Sequence, residues 1–265
     1  MTSTQKIIKY SAIALAVLII TGIISGIAGL LGWALGLGGS AVDESKTYTP
    51  EGEIDSLVLE IAGGDVKIIE SEAIKIESNL KKLDVKVYGG SLIIKDKAHN
   101  QSNYDDAFVT LFIPKDFAFK SIEISSGAGK LTADSISSES FELELGAGEC
   151  IINSLSVSSS AEIEGGAGSV SILGGNIKDL DLEMGVGKLD LNAALLGESE
   201  LDLGVGEVKI ALQGGKDAYT LEANKAIGSI KIDGESLSSS RTIGNGERTV
   251  EINGGIGDIN VTFEE

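Results

Sequence analysis

From residue 57 onward, apolar and polar side chains alternate in short runs, and the alternation resets at glycines. In Phe141-Leu143-Leu145-Ala147 the apolar residues fall on odd positions, whereas Cys150 and Ile152 fall on even ones. The same slip separates Leu180-Leu182-Met184-Val186 from Leu189-Leu191, and Leu201-Leu203-Val205 from Val208-Ile210. Alternation with a period of two marks a half-buried β-strand. One extra residue at each slip means that the chain bulges or turns a corner there, which glycine permits because it lacks a Cβ. Parity groups Ala147, Val186 and Val205 with the apolar residues that precede them.

The corners are copies of one motif, Gly-x-Gly-polar-apolar-x-apolar. It begins at 127, 146, 166, 185 and 204, and looser copies begin at 62, 88, 226 and 255. Its last glycine recurs as Gly129, Gly148, Gly168, Gly187, Gly206, Gly228 and Gly257, and upstream as Gly64 and Gly90. Self-similarity at a fixed period is the mark of a stacked repeat architecture. One coil of this length cannot bury its own apolar face, but coils stacked about 4.8 Å apart can. The sequence therefore predicts an all-β, β-helix-like solenoid of about 19–20-residue repeats over 57–265. An antiparallel β-sandwich is the alternative, because strands at such intervals also suit that class. Residues 95–125 break the period with a polar insertion and an extra strand ending at Pro114. Ser-rich stretches at 135–140, 154–160 and 236–240 predict turns.

Upstream of the repeats the pattern changes. No charged residue occurs between Tyr10 and Val42, and Ile7 to Leu37 is almost continuously apolar or glycine. That run exceeds the ~20 residues a bilayer core requires and the 7–15 of a signal-peptide core. It predicts a short cytoplasmic N-terminus (1–9), one transmembrane helix (10–37) and a linker (38–56). Lys6 and Lys9 before the span place the repeat domain outside the membrane. Gly22-x-x-x-Gly26 and Gly32-x-x-x-Gly36 are candidates for a homodimer through this helix.

Charge and composition narrow the chemistry. The chain of 265 residues has a formal net charge of −19, and the first 42 residues hold no acidic side chain, so the repeat domain is more acidic still. Such a surface lacks the clustered Lys and Arg that phosphate contacts need, so no nucleic acid is expected as partner. Gly at 35 residues with Pro at 2 fits ordered strands meeting at tight corners. The single cysteine, Cys150, occupies an inward position and reads as a core thiol. The single histidine, His99, gives no Ser-His-Asp arrangement and no His-based zinc site. A calcium β-roll needs Asp where every copy here is apolar, and no phosphate loop is present. Neither catalytic residue, metal site nor cofactor is therefore expected, and the chain reads as no enzyme. A polysaccharide-active β-helix using Arg241 and Arg248 is the remaining enzymatic alternative.

The apolar anchor, the Ile113-Pro114 strand and the tandem Gly-x-Gly repeats together resemble a bacterial family of β-strand-repeat domains of unknown function, the putative-adhesin family. Related domains occur in proteins of cell-envelope stress signalling. The resemblance covers roughly 50–265. It implies an extracytoplasmic solenoid and supplies no catalytic residues.

One candidate site remains. Two and four residues before the corners stand Glu142 and Glu144, Glu162 and Glu164, Asp181 and Glu183, Glu200 and Asp202, and the outer positions continue to Glu123, Glu222 and Glu251. Coils in register would turn these into two columns of carboxylates. Such a face predicts a cationic ligand, a divalent cation or a basic envelope component as partner. A solvated face that aids solubility is the alternative. The expected function is a single-pass membrane protein displaying an acidic β-repeat domain that binds or senses at the cell envelope. A ligand-free surface stalk is the other reading.

Overall fold

The computed structural model describes residues 40–98, 103–224 and 227–265. The stretches 1–9 and 10–37 and His99 lie outside the described residues, as do the glycines of the proposed helix dimer. Among the described residues no helix is long and apolar enough to cross a membrane.

The chain begins with β1 (Val42–Tyr48), β2 (Ser56–Ser71), β3 (Lys75–Leu80), β4 (Leu83–Tyr88), β5 (Ser91–Asp96) and β6 (Phe108–Pro114). Long strands that bend through the corners follow: β7 (Phe119–Ala133), β8 (Ile136–Ile152), β9 (Leu155–Ile172), the short β10 (Asn176–Lys178), β11 (Leu180–Leu196) and β12 (Glu198–Gln213). The C-terminal part adds a 3-10 turn at Lys216–Ala218 and then β13 (Tyr219–Asn224) and β14 (Ile227–Ile232). It ends with β15 (Glu235–Ser236), β16 (Arg241–Gly244), β17 (Arg248–Asn253) and β18 (Ile256–Glu264). β1 lies inside the stretch expected as linker, where it pairs antiparallel with β3.

Consecutive coils pair in parallel, not in the antiparallel manner a sandwich requires: β7 on β8, β8 on β9, β9 on β11 and β11 on β12. Each pairing brings motif onto motif, so Gly129, Gly148, Gly168, Gly187 and Gly206 form one column. Inward residues stack likewise. Leu131, Cys150, Val170, Leu189 and Val208 form one buried ladder, and Ile124, Leu143, Ile163, Leu182 and Leu201 another. Each such side chain contributes roughly 1.5–3 kcal/mol on burial, before the entropy of ordering it is counted. Cys150 is fully buried and unpaired, and burial pushes its thiol up to about 12, which keeps it protonated.

Stack order departs from chain order at both ends. β2 lies between β7 and an outer coil made of β5 and β6. At the other end β17 and β18 pair with β12 on one side and with β13 and β14 on the other. The first and last coils are thus each second from an end. Antiparallel strands close the stack: β3 on β6 and β4 on β5 at one end, β16 on β13 and β15 on β14 at the other. This pairing corrects one repeat copy. Gly89 and Gly90, with φ of 59° and 86°, form the β4–β5 hairpin turn and not a coil corner. Leu92 accordingly stacks on Leu57, while Val66 stacks on Val109.

The corners also depart from strict parity. Ala147, Val186 and Val205 continue the apolar alternation in the sequence, but the bulge turns them outward, and Val186 and Val205 are each 40% exposed.

Candidate acidic face

Register decides where the candidate carboxylates go. Glu123, Glu142, Glu162, Asp181 and Glu200 stand side by side on five successive coils. Glu251 continues the column from Glu200, and Glu222 ends it, because the last coil is inserted before the one that precedes it in sequence. A second column runs Glu144, Glu164, Glu183 and Asp202 and ends in Asn253 and Asn224. All eight residues singled out in the sequence are therefore brought onto one face.

The two asparagines soften the end of this face, and nothing in the repeat grammar announces them. Asn253 Nδ2 donates to Glu200 Oε1 at 3.2 Å, and Asn224 Nδ2 donates to Glu251 Oε1 at 3.1 Å. Alongside the first column, Ser121, Ser140 and Ser160 are stacked in register. With Glu123, Glu142 and Glu162 these hydroxyls line a shallow groove that runs along the stack. Ser140 and Ser160 fall in stretches expected as turns but lie within β8 and β9, and Ser121 lies within β7. A second concavity, under the corner near the C-terminal coils, is lined by apolar groups including Met184, Leu203 and Ile259.

Beyond the corner the same coils carry a different charge pattern. Lys130 pairs with Glu149 on the next coil at 2.7 Å, and Lys188 with Glu207 at 3.7 Å. Lys209 adds a contact to Glu207 at 3.1 Å. Neither carboxylate column before the corner contains a Lys or Arg. Carboxylates are thus segregated on one face and neutralised on the other.

The pKa directions follow this segregation. Burial, and then the charges of Glu123 and Glu162, raises Glu142 above the ordinary glutamate value of 4.5. Burial followed by Asp202 raises both Glu183 and Glu200. Hydrogen bonds from Lys120, Lys97 and Lys209 lower Asp55, Asp84 and Glu207 respectively.

The raised groups bind a proton more tightly in the folded state. Their contribution to stability is present below the unfolded pKa and is lost as pH rises through the folded one. The lysine-paired groups behave oppositely, and their contribution is lost as pH falls through their depressed values. The thermal midpoint is therefore expected to rise as pH is lowered from neutrality to ~5, and to turn down only near the range where Asp titrates. All these groups are largely solvated, so the rise is small and is reduced by salt. Differential scanning calorimetry across pH checks it; a midpoint that falls steadily from neutrality would show that the columns exert no net repulsion.

Other candidates separate. Arg248 Nη1 donates to Gln213 O and to the Tyr219 hydroxyl, both at 3.3 Å, so its guanidinium ties coils together. Arg241 is exposed on β16, on the opposite side of β13 from Arg248, so the two arginines do not form one site. Among the described residues, no three Asp, Glu, His or Cys side chains converge as a metal-holding group. Neighbours in a column point out in parallel and not toward a common centre.

Comparison with known proteins agrees with this architecture. The family described as Toastrack DUF4097 matches residues 36–262. Among solved structures, a putative adhesin from Bacteroides fragilis is similar at 16% identity and a TM-score of 0.53, covering 84% of this chain and 100% of that one. A putative adhesin from Parabacteroides distasonis is 14% identical over 83% of this chain and 96% of its own, with a TM-score of 0.39. A putative lipid binding protein from the same species is 12% identical over 86% and 99%, with a TM-score of 0.39. No curated protein matches. At these identities the Bacteroides likeness shows a shared fold and nothing about ligands.

Proposed function

The chain belongs to the Toastrack DUF4097 family, and from that premise we propose that it is a non-enzymatic, adhesin-like binding module of the cell envelope whose acidic face docks a cationic partner. The anchor in this reading is the apolar segment 10–37, with the repeat domain on the outer side. Ser40 and Ala41 enter the fold beside Asn103, at the end capped by β3 and β4. An anchor preceding them would hold that end nearest the membrane, and the longer column would run away from it for about 30 Å.

One observation carries the proposal: seven carboxylates stand in register without a cation among them, while the adjoining face of the same coils pairs Lys130 with Glu149 and Lys188 with Glu207. Solubility alone does not require this segregation, since neighbouring carboxylates about 5 Å apart repel by roughly 0.8 kcal/mol even in water. An extended array favours a partner with repeated positive charges over a single chelated ion. Binding of this kind is fast to form and falls with salt.

Polylysine binding, measured by surface plasmon resonance, tests the assignment. Replacing Glu142, Glu144, Glu162 and Glu164 by Gln is expected to abolish saturable binding. The same change at Asp43, Glu44, Glu51 and Glu53, which alters net charge equally but away from the columns, is expected to leave most of it. Equal losses from both variants would reduce the face to bulk charge and favour a ligand-free stalk. Protease shaving of intact cells carrying a C-terminal tag tests the placement separately, and protection of the tag would remove every surface role.

A further inference from the structure

The two ends of the stack are closed very differently. At the end where the chain enters, β1 and β4 run as outermost strands of 7 and 6 residues and carry Asp43, Glu44 and Lys46, and Asp84 and Lys86. The charged side chains on these edges discourage further pairing. At the opposite end the caps β15 and β16 are only 2 and 4 residues long. β15 covers β14 only at Lys231 and Ile232, and the Leu237 N–H adds one bond to Ile230 O. Among the described residues, no strand pairs with the outer edge of Ile227-Gly228-Ser229. Because Ile230 presents its carbonyl outward, strand alternation makes Gly228 the next residue to present its N–H and C=O to that side.

An apolar ridge ends at this same place. The residue before the last corner glycine is Ala128, Ala147 and Ala167 on successive coils, then Val186 and Val205, then Ile256 and finally Ile227, all in one register column. Exposure grows with size along it, to 51% at Ile256 and 67% at Ile227. Charge changes here too. Residues 214–248 hold five basic and five acidic side chains, so this cap is neutral in a chain of net charge −19.

We infer that the partner of this open edge is a second copy of the chain, docked end to end through β14 with a two-fold axis at Gly228. Antiparallel pairing of β14 with its mate would let the two Gly228 residues exchange both backbone hydrogen bonds. Ile227 would then stand opposite Ser229 of the mate, and the exposed apolar end of each ridge would be covered. Along the acidic coils between the caps two copies repel; at this cap the charge balances, which favours like for like over a strongly charged partner. The contact is isologous and closed, so it makes pairs and not fibres. It is smaller than a standard interface, so each pair is weak, and many copies acting together would supply the strength. The inference does not depend on the acidic face. If the N-terminal anchoring proposed above holds, the pair puts its two anchors at opposite extremes, which suits contact between two facing surfaces.

Bis-maleimide cross-linking of the purified full chain in detergent tests this. Ser229→Cys is expected to give a cross-linked dimer, because the mates lie across the two-fold axis. Ser169→Cys, in the same outward column four coils away, is expected to give none. Adding Ile227→Lys to Ser229→Cys should lower the yield to the Ser169→Cys level while leaving the melting temperature unchanged, since that side chain is exposed. No dimer with Ser229→Cys, or equal yields at both positions, would overturn the inference, the second result meaning side-by-side association through the anchor. Retention of the dimer with Ile227→Lys would overturn it as well.

Discussion

Gly148→Val is expected to destabilise the domain by at least about 3 kcal/mol, more than any ordinary surface substitution. Two independent causes act together. Gly148 has φ 141°, a conformation that side-chain-bearing residues rarely adopt. A Cβ at this site would also collide with the backbone carbonyl oxygen of Gly129 on the neighbouring coil. That oxygen belongs to the ladder itself and cannot swing aside as a flexible side chain would. The same relation holds up the column, with Gly168 against the Gly148 carbonyl and Gly187 against that of Gly168. Separating two coils at the corner would break parallel hydrogen bonds on either side. Urea denaturation followed by circular dichroism measures the loss. A Gly148→Ala variant should already lose most of the stability, since the Cβ is the offending atom. Native-like stability of the alanine variant would show that the stack yields at its corners and that the glycine column is not a packing requirement.

Tyr219→Ala is expected to cost about 3–5 kcal/mol, concentrated in the C-terminal coils. The ring is fully buried and its centroid lies 5.9 Å from that of Phe263. Its hydroxyl donates to Gln213 O at 2.6 Å and accepts from the Leu195 N–H at 3.2 Å and from Arg248 Nη1 at 3.3 Å. One side chain therefore joins β13 to residues of β11, β12 and β17. Tyr219→Phe separates the two contributions: it keeps the ring and orphans the Leu195 N–H, for an expected loss of about 1–3 kcal/mol. Hydrogen exchange should report the change as faster exchange in β13, β14, β17 and β18, with β8 and β9 hardly affected, because stacked coils interact mainly with their nearest neighbours. Uniform loss of protection along the whole stack would instead mean that the solenoid unfolds as one unit.

Much of the architecture was legible because the relevant signals are local. Alternation with a period of two identified the inward ladders, such as Leu143 with Ile163 and Cys150 with Val170, and the parity slip identified the corners at Gly148, Gly168 and Gly187. The carboxylate columns followed once equal coil lengths were read as equal register. Three features were not legible for the same physical reason, namely that each depends on which strand lies alongside. Gly89-Gly90 has the composition of a corner, and only its pairing partner makes it a hairpin turn. Val186 and Val205 match the apolar parity before them, and the parity slip marks a bulge without showing that these are the side chains it turns outward. Tyr219 carries no signal of its role in the repeat pattern, since a buried hydroxyl is explained only by acceptors and donors from distant coils.

The sequence by itself determined the repeat, its glycine corners, the composition of its core ladders and the segregation of its carboxylates, all of which are properties of a single coil. Only the tertiary structure decided the order in which coils stack: β2 inside the coil of β5 and β6, and β17 with β18 inside that of β13 and β14. Parallel coils of similar length and pattern are nearly interchangeable as neighbours, so local preference does not choose between them. The choice falls to the ends. There β4 and β15 fold back on their sequence neighbours β5 and β14, β3 and β16 lie on β6 and β13, and together they occupy one edge, which leaves the other edge to the incoming first or last coil.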